Sequence, residues 1–215
     1  MRFHDHPKKM KFPNRKVWVL GNRVLYDLCR KYPLHAKDDV IIAKILLIGR
    51  VYAAAIERRK PVGKKSDRHF GDAFYTKVVA PRIRKSGIDG WLKSLPSHLP
   101  SATEDSKINK ILSVHGKVTK LFSKISGLEK RSLASKYLHF HRPDIFFIYD
   151  SRSVAGTRAI TTSSGVAPAK THDPEYAKFF RRCLSLCQAR KLKHSDALIT
   201  RHLDDFLITL AERKK

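Results

Sequence analysis

Apolar residues recur every three or four positions between 111 and 125: Ile111, Val114, Val118, Leu121 and Ile125 step by 3, 4, 3 and 4. That period gathers them on one side of a helix, whose other side carries Lys110, Lys117, Lys120 and Lys124. Ser101 and Glu104 ahead of it have capping-box spacing, and Ser126-Gly127 is a natural stop. The same period dominates the chain. Asn22 is the expected cap of a short helix bearing Val24, Leu25, Leu28 and Cys29, ended by Pro33. Asp38 or Asp39 is expected to cap the next, with Ile41, Ile42, Ile45, Ile48, Tyr52, Ala55 and Ile56 in register. A third begins near Asp72 and is bent or stopped by Pro81. Another runs to about His141, before Pro143. Asp173-Pro174 opens a helix that aligns Tyr176, Phe179, Phe180, Cys183 and Cys187, and a last one spans roughly Arg201 to Arg213. Only Ile145 to Tyr149 reads as a strand, and it is short. The expectation is an all-α domain over 17–215, behind a basic arm at 1–16.

Charge narrows the partner. Lys and Arg number 45 against 19 Asp and Glu, a net charge of +26 in 215 residues. That excess is far beyond what solubility needs, and a polyanion, nucleic acid first, is the partner it implies. Apolar residues make up 42% and are periodically placed, which excludes disorder throughout. The most apolar run, Val40 to Val51, holds Lys44 and Arg50, so no membrane span is expected. The opening MRFHDHPKKMKF lacks the apolar core of a secretory signal. Three irregularly placed cysteines (Cys29, Cys183, Cys187) fit a reducing cytoplasm rather than a disulfide framework. The histidine pairs His4/His6 and His139/His141 have no Cys or carboxylate cluster beside them, so neither a metal nor another cofactor is expected. The basic loop at 58–68 and the lysine side of 110–124 read equally as phosphate contacts or as an exposed loop and a solvated helix face.

One stretch departs from ordinary helix. Gly127-Leu128-Glu129 forms a tight turn, a helix with Lys130, Arg131 and Lys136 follows, and Arg142-Pro143-Asp144 breaks it. The apolar return Ile145-Phe146-Phe147-Ile148-Tyr149 then ends at Asp150-Ser151-Arg152. A carboxylate after five apolar residues, facing basic groups, is a candidate active-site acid. Asp is equally a common helix cap. Composition and spacing leave both readings of Asp150 open.

This stretch resembles the helix-hairpin-helix DNA glycosylases, in which a Gly-x-Gly hairpin opens a helix and the catalytic Asp follows 18 to 20 residues on. Arg131 to Asp150 spans 19 residues. SLASKYLHFHRPDIFFIYDSR is closer to the bacterial 8-oxoguanine-glycosylase-like branch, which reads S-K-Y-x-x-F-H-x-P and then P-I-Y-D-S. LIGRVYAAAIERR (47–59) and HLDDFL (202–207) also look like that branch. The sequence departs from the pattern in carrying Glu129 for the second hairpin glycine and Arg131 at the usual catalytic-lysine position. The resemblance implies a helix-hairpin-helix glycosylase fold and a monomeric enzyme that flips a modified base from double-stranded DNA and hydrolyses its N-glycosidic bond. Its base would be oxidised guanine in repair, or a modified base of phage DNA in antiviral defence. It implies Asp150 as the carboxylate, Lys130 and Lys136 as amine nucleophiles or phosphate clamps, and Gly127 and Arg131 as backbone contacts. Lys117, Lys120, Lys124 and Arg152 join them as DNA contacts. Because Arg cannot form a Schiff base, a monofunctional enzyme is expected. A non-catalytic basic DNA- or RNA-binding protein is the alternative. A metal-dependent nuclease built on Asp144 and Asp150 fails on spacing and on Arg152 in the lysine place.

Overall fold

The computed structural model describes residues 16–58, 71–160, 173–189 and 199–212. The basic arm, His4 and His6, most of the basic loop (59–70) and the segment 161–172 lie outside the described residues. Within them the chain is helical, and no strand forms. The helices are α1 (Lys16–Lys31), α2 (Asp38–Val51), α3 (Asp72–Phe74), α4 (Ala80–Arg84), α5 (Ile88–Lys93), α6 (Asp105–Ser126), α7 (Arg131–His141), α8 (Ser151–Ile160), α9 (Pro174–Ala189) and α10 (Ile199–Glu212). No helix among the described residues is long and apolar enough to cross a membrane.

Local chemistry accounts for most boundaries. α6 ends where Gly127 turns left-handed at φ 71°, a conformation that costs glycine nothing. Asp173 caps α9, its Oδ1 accepting the amides of Glu175 at 3.1 Å and Tyr176 at 3.2 Å. Only half of the expected capping box forms: Glu104 reaches back to the Ser101 amide at 2.9 Å, but α6 starts one residue after the glutamate. Between α3 and α4 the backbone widens into a π-helical turn, Tyr75–Val79, just before Pro81. A proline ring collides with the carbonyl four residues back, and the widened turn lets the helix continue through it rather than stop.

Three expectations are corrected. Asn22 is not a cap but lies inside α1, where its Oδ1 accepts the Tyr52 hydroxyl at 2.5 Å. Neither Asp38 nor Asp39 caps α2; both sit in its first turn, and Lys37 occupies the cap position without a side-chain bond. There the carboxylates still favour the helix dipole. The return Ile145–Tyr149 is irregular backbone, not a strand. Its polar groups find side chains instead of a neighbouring strand: the Tyr176 hydroxyl donates to Phe147 O at 3.1 Å, and the Tyr149 amide donates to Ser135 Oγ at 3.0 Å.

The core is one continuous cluster with α7 at its centre, packed by α1, α2 and α6. Phe122, Tyr137, Phe140, Phe146, Phe147, Tyr176 and Phe180 are fully buried in it. α8 lies across α10 at close range. A Cβ added to Gly156 would stand 2.2 Å from Leu207 O, so the absence of a side chain there sets how near the two helices come.

Candidate active site

Asp150 stands at the N-terminus of α8 and does two things at once. Its Oδ1 accepts the amides of Arg152 at 3.0 Å and Ser153 at 2.9 Å, and the Ser153 hydroxyl at 3.0 Å. That is a helix cap, as the plainer reading of the sequence expects. Its Oδ2 takes no hydrogen bond among the described residues and lies 3.9 Å from Lys136 Nζ. The side chain lines a pocket of about 210 Å³ together with Trp18, Val51, Tyr52, Ala53, Arg152, Arg201, Asp204 and Ile208. The cap thus fixes one oxygen and leaves the other outside it, in a side chain that lines the pocket.

Lys136 is buried on α7 beneath this carboxylate. Its ammonium donates to Tyr52 O at 3.1 Å and to Ser132 Oγ at 3.0 Å. Burial lowers its pKa, while the charges of Asp150 and Asp204 work to raise it. Tyr52 closes α2, and Ala53 after it holds a left-handed φ of 52°. A left-handed alanine is strained by roughly 1–2 kcal/mol, and this turn exposes both residues to the pocket.

α10 supplies a buried polar set. Arg201 donates to the Tyr52 hydroxyl at 3.1 Å, to Asp204 Oδ2 at 3.2 Å and to Asp205 Oδ1 at 3.0 Å. Asp204 is 3% exposed, and burial raises its carboxyl to about 6 against the pull of Arg201, with Asp150 and Asp205 adding to the rise. The Ser153 hydroxyl lies 2.8 Å from Asp204 Oδ1 as well as 3.0 Å from Asp150 Oδ1. One hydroxyl carries one proton. Both contacts are bonds in full only when Asp204 holds a proton and donates it to Ser153, which then donates to Asp150. Ser153 therefore joins the two carboxylates into a unit.

The other sequence candidates divide sharply. Lys130 does not line the pocket; its ammonium is held by the carbonyls of Ala55, at 2.9 Å, and Arg58. Burial lowers its pKa, but two backbone acceptors make it a tie between the α6–α7 turn and the chain after α2. Arg131 pairs with Asp173 at 2.6 Å and with Glu129, its guanidinium 5.5 Å from the centre of the Tyr149 ring. It is engaged within the protein rather than presented to a phosphate. The Gly127 amide donates to Ser123 O at 2.8 Å, so the helix cap has taken the donor that a hairpin glycine would offer to DNA. Lys117, Lys120 and Lys124 are exposed along α6, Lys117 lying 5.8 Å from the centre of the Trp91 ring. Arg152 is exposed at the pocket rim, 3.9 Å from Glu212.

His139 and His141 point into the core. A carbonyl can only accept, so His139 Nδ1, 2.8 Å from Phe146 O, carries the ring proton, and Nε2 accepts from the Tyr26 hydroxyl at 2.7 Å. Burial pushes its pKa down to about 3, and both nitrogens are occupied. Sequence reasoning missed Tyr52, Ser153, Gly156, Arg201 and Asp204 as site residues. The signal for three of them was present, since Tyr52 lies within LIGRVYAAAIERR and Arg201 and Asp204 flank or lie within HLDDFL.

No family model, no curated protein and no solved structure matches the chain.

Proposed function

We propose that the protein is a DNA glycosylase that flips a modified base out of double-stranded DNA and hydrolyses its N-glycosidic bond, leaving an abasic site. The observation that carries this reading is the divided role of Asp150, a residue that lines the pocket: Oδ1 is locked by the α8 cap, while Oδ2 has no hydrogen bond among the described residues and lies 3.9 Å from a buried lysine. A flipped base would enter the pocket between Trp18 and Tyr52, and sugar C1′ would face Oδ2. As the base leaves, positive charge develops on the sugar, and a fixed carboxylate sheltered from water stabilises it. The same oxygen can accept a proton from the attacking water. Lys136, held by Tyr52 O and Ser132, would position the carboxylate rather than attack the sugar. The order of α6, the Gly127 turn, α7 and the return to Asp150 supports a helix-hairpin-helix glycosylase fold. The net charge of +26 supports DNA as the partner. The base would be oxidised guanine, or a modified base of phage DNA.

The cap itself favours a second reading, a non-catalytic basic DNA- or RNA-binding protein in which Asp150 only ends α8. Asp150→Asn separates the two. Asparagine keeps the Oδ1 acceptor, so stability should change by no more than about 1 kcal/mol. Losing the charge facing the sugar should slow base release by roughly a hundredfold or more. The assay incubates DNA carrying oxidised, unmodified or phage-type modified bases, without metal, and follows free base and alkali-labile sites. Base release by the variant at the wild-type rate, or none by the wild type on any substrate, overturns the proposal.

A further inference from the structure

A second cleft, of about 290 Å³, opens between α8 and α9, with Tyr149, Arg158, Glu175, Lys178, Phe179 and Arg182 in its lining. Its charges do not balance. Lys178 is matched by Glu175 at 3.3 Å, but Arg158 and Arg182 have no ion pair or hydrogen bond among the described residues. The Nε of Arg182 is buried without an acceptor among the described residues, and a buried donor left unpaired is unfavourable. Two guanidiniums with no carboxylate partner among the described residues therefore share one cleft, and an anion there would balance their charge. Tyr149 and Phe179 form its aromatic wall, edge to face at 5.2 Å between centres.

We propose that this cleft is a binding site for the phosphate group of a nucleotide, separate from the pocket at Asp150. Guanidinium N–H groups match phosphate oxygens in geometry and charge, and an aromatic wall suits the sugar or base attached to it. The inference does not rest on the glycosylase reading. A protein that released no base could still bind phosphate here, and a glycosylase could work without it.

The test measures binding of thymidine, thymidine 5′-monophosphate, and a short thymidine strand with and without a 5′-phosphate, by nuclear magnetic resonance titration and fluorescence anisotropy. The full chain is compared with Arg158→Gln/Arg182→Gln and with Lys77→Gln/Lys85→Gln, an exposed pair giving the same change in net charge. The arginine variant should bind the phosphorylated probes about tenfold or more weakly; the lysine pair should change affinity by less than about twofold. Thymidine should bind no better to wild type than to the arginine variant. Saturation by the monophosphate alone would name a free nucleotide as occupant. Preference for the 5′-phosphorylated strand would name a strand end, and equal binding of both strands an internal diester. Equal losses in the arginine and lysine variants would reduce the effect to bulk charge and overturn the proposal. So would thymidine binding as well as its monophosphate. Thermal melting of each variant checks that lost binding is not lost folding.

Discussion

Gly156→Ala tests the crossing that builds the site, because propensity and packing predict opposite signs. By helix propensity alone, alanine inside α8 should stabilise the protein by about 1 kcal/mol. The structure predicts the reverse. The new Cβ would lie 2.2 Å from Leu207 O, 2.8 Å from Leu207 C and 2.9 Å from Leu207 Cα. All three are backbone atoms of α10, so no side chain can swing aside. Reaching even 3.0 Å from the oxygen requires a retreat of 3.0 − 2.2 = 0.8 Å. Ser153 is one helical turn before Gly156 and Asp204 is one turn before Leu207. A retreat of that size lengthens the Ser153–Asp204 contact from 2.8 Å to about 3.6 Å, which is no longer a hydrogen bond. Overpacking costs about 1–3 kcal/mol, and the lost bond to a buried carboxylate adds about 1.5–3 kcal/mol. Set against the propensity gain, the variant should be less stable by roughly 1.5–5 kcal/mol. Urea unfolding followed by circular dichroism reads this directly. In a Ser153→Ala background the penalty should shrink, since the bond is already absent. A Gly156→Ala protein as stable as wild type or more so would refute the reasoning.

Asp204 should make stability depend on pH in a defined direction. Its folded pKa of about 6 lies above the ordinary 3.8, so the native state holds the extra proton between those values and loses stability as pH rises through the window. The loss is on the order of 3 kcal/mol and complete by about pH 7; Asp204→Asn, unfolded in urea from pH 4 to 7, should abolish that slope. Lys130→Met should destabilise by about 1–3 kcal/mol through the freed carbonyls of Ala55 and Arg58, while borohydride traps no covalent DNA complex through Lys130 in the wild type; a trapped complex lost in this variant would contradict the structural role. Binding to duplex DNA should weaken steeply between roughly 50 and 200 mM salt, and charge reversal at Lys117 and Lys120 should weaken all sequences alike. Affinity that ignores salt would refute this.

What could be read from the sequence was what depends on neighbours along the chain. The 3–4 spacing of Ile111 to Ile125 placed α6, Gly127 ended it, and Asp173-Pro174 opened α9, because each rests on contacts within a turn or two. Asn22 misled for the same reason: its side chain suits a cap, but a hydroxyl from Tyr52, thirty residues on, claimed it inside α1. The return Ile145–Tyr149 has strand composition, yet a strand needs a partner, and whether one exists is a property of the whole fold. The site divides along the same line. Asp150 was legible as cap or acid, and the structure shows the cap, which uses only Oδ1 of the two carboxylate oxygens. Lys130 and Lys136 were indistinguishable as letters six positions apart; only tertiary packing sends one to the carbonyls of Ala55 and Arg58 and the other beneath Asp150. The partner carboxylate lay within a segment singled out in the sequence, HLDDFL, but its pairing with Ser153 was beyond local reading. Asp204 comes within 2.8 Å of Ser153 across fifty-one positions because Gly156 lets α10 approach α8. The residue on which that meeting depends has no side chain of its own, so nothing in its chemistry marks it; only the crossing helix gives its absence a function.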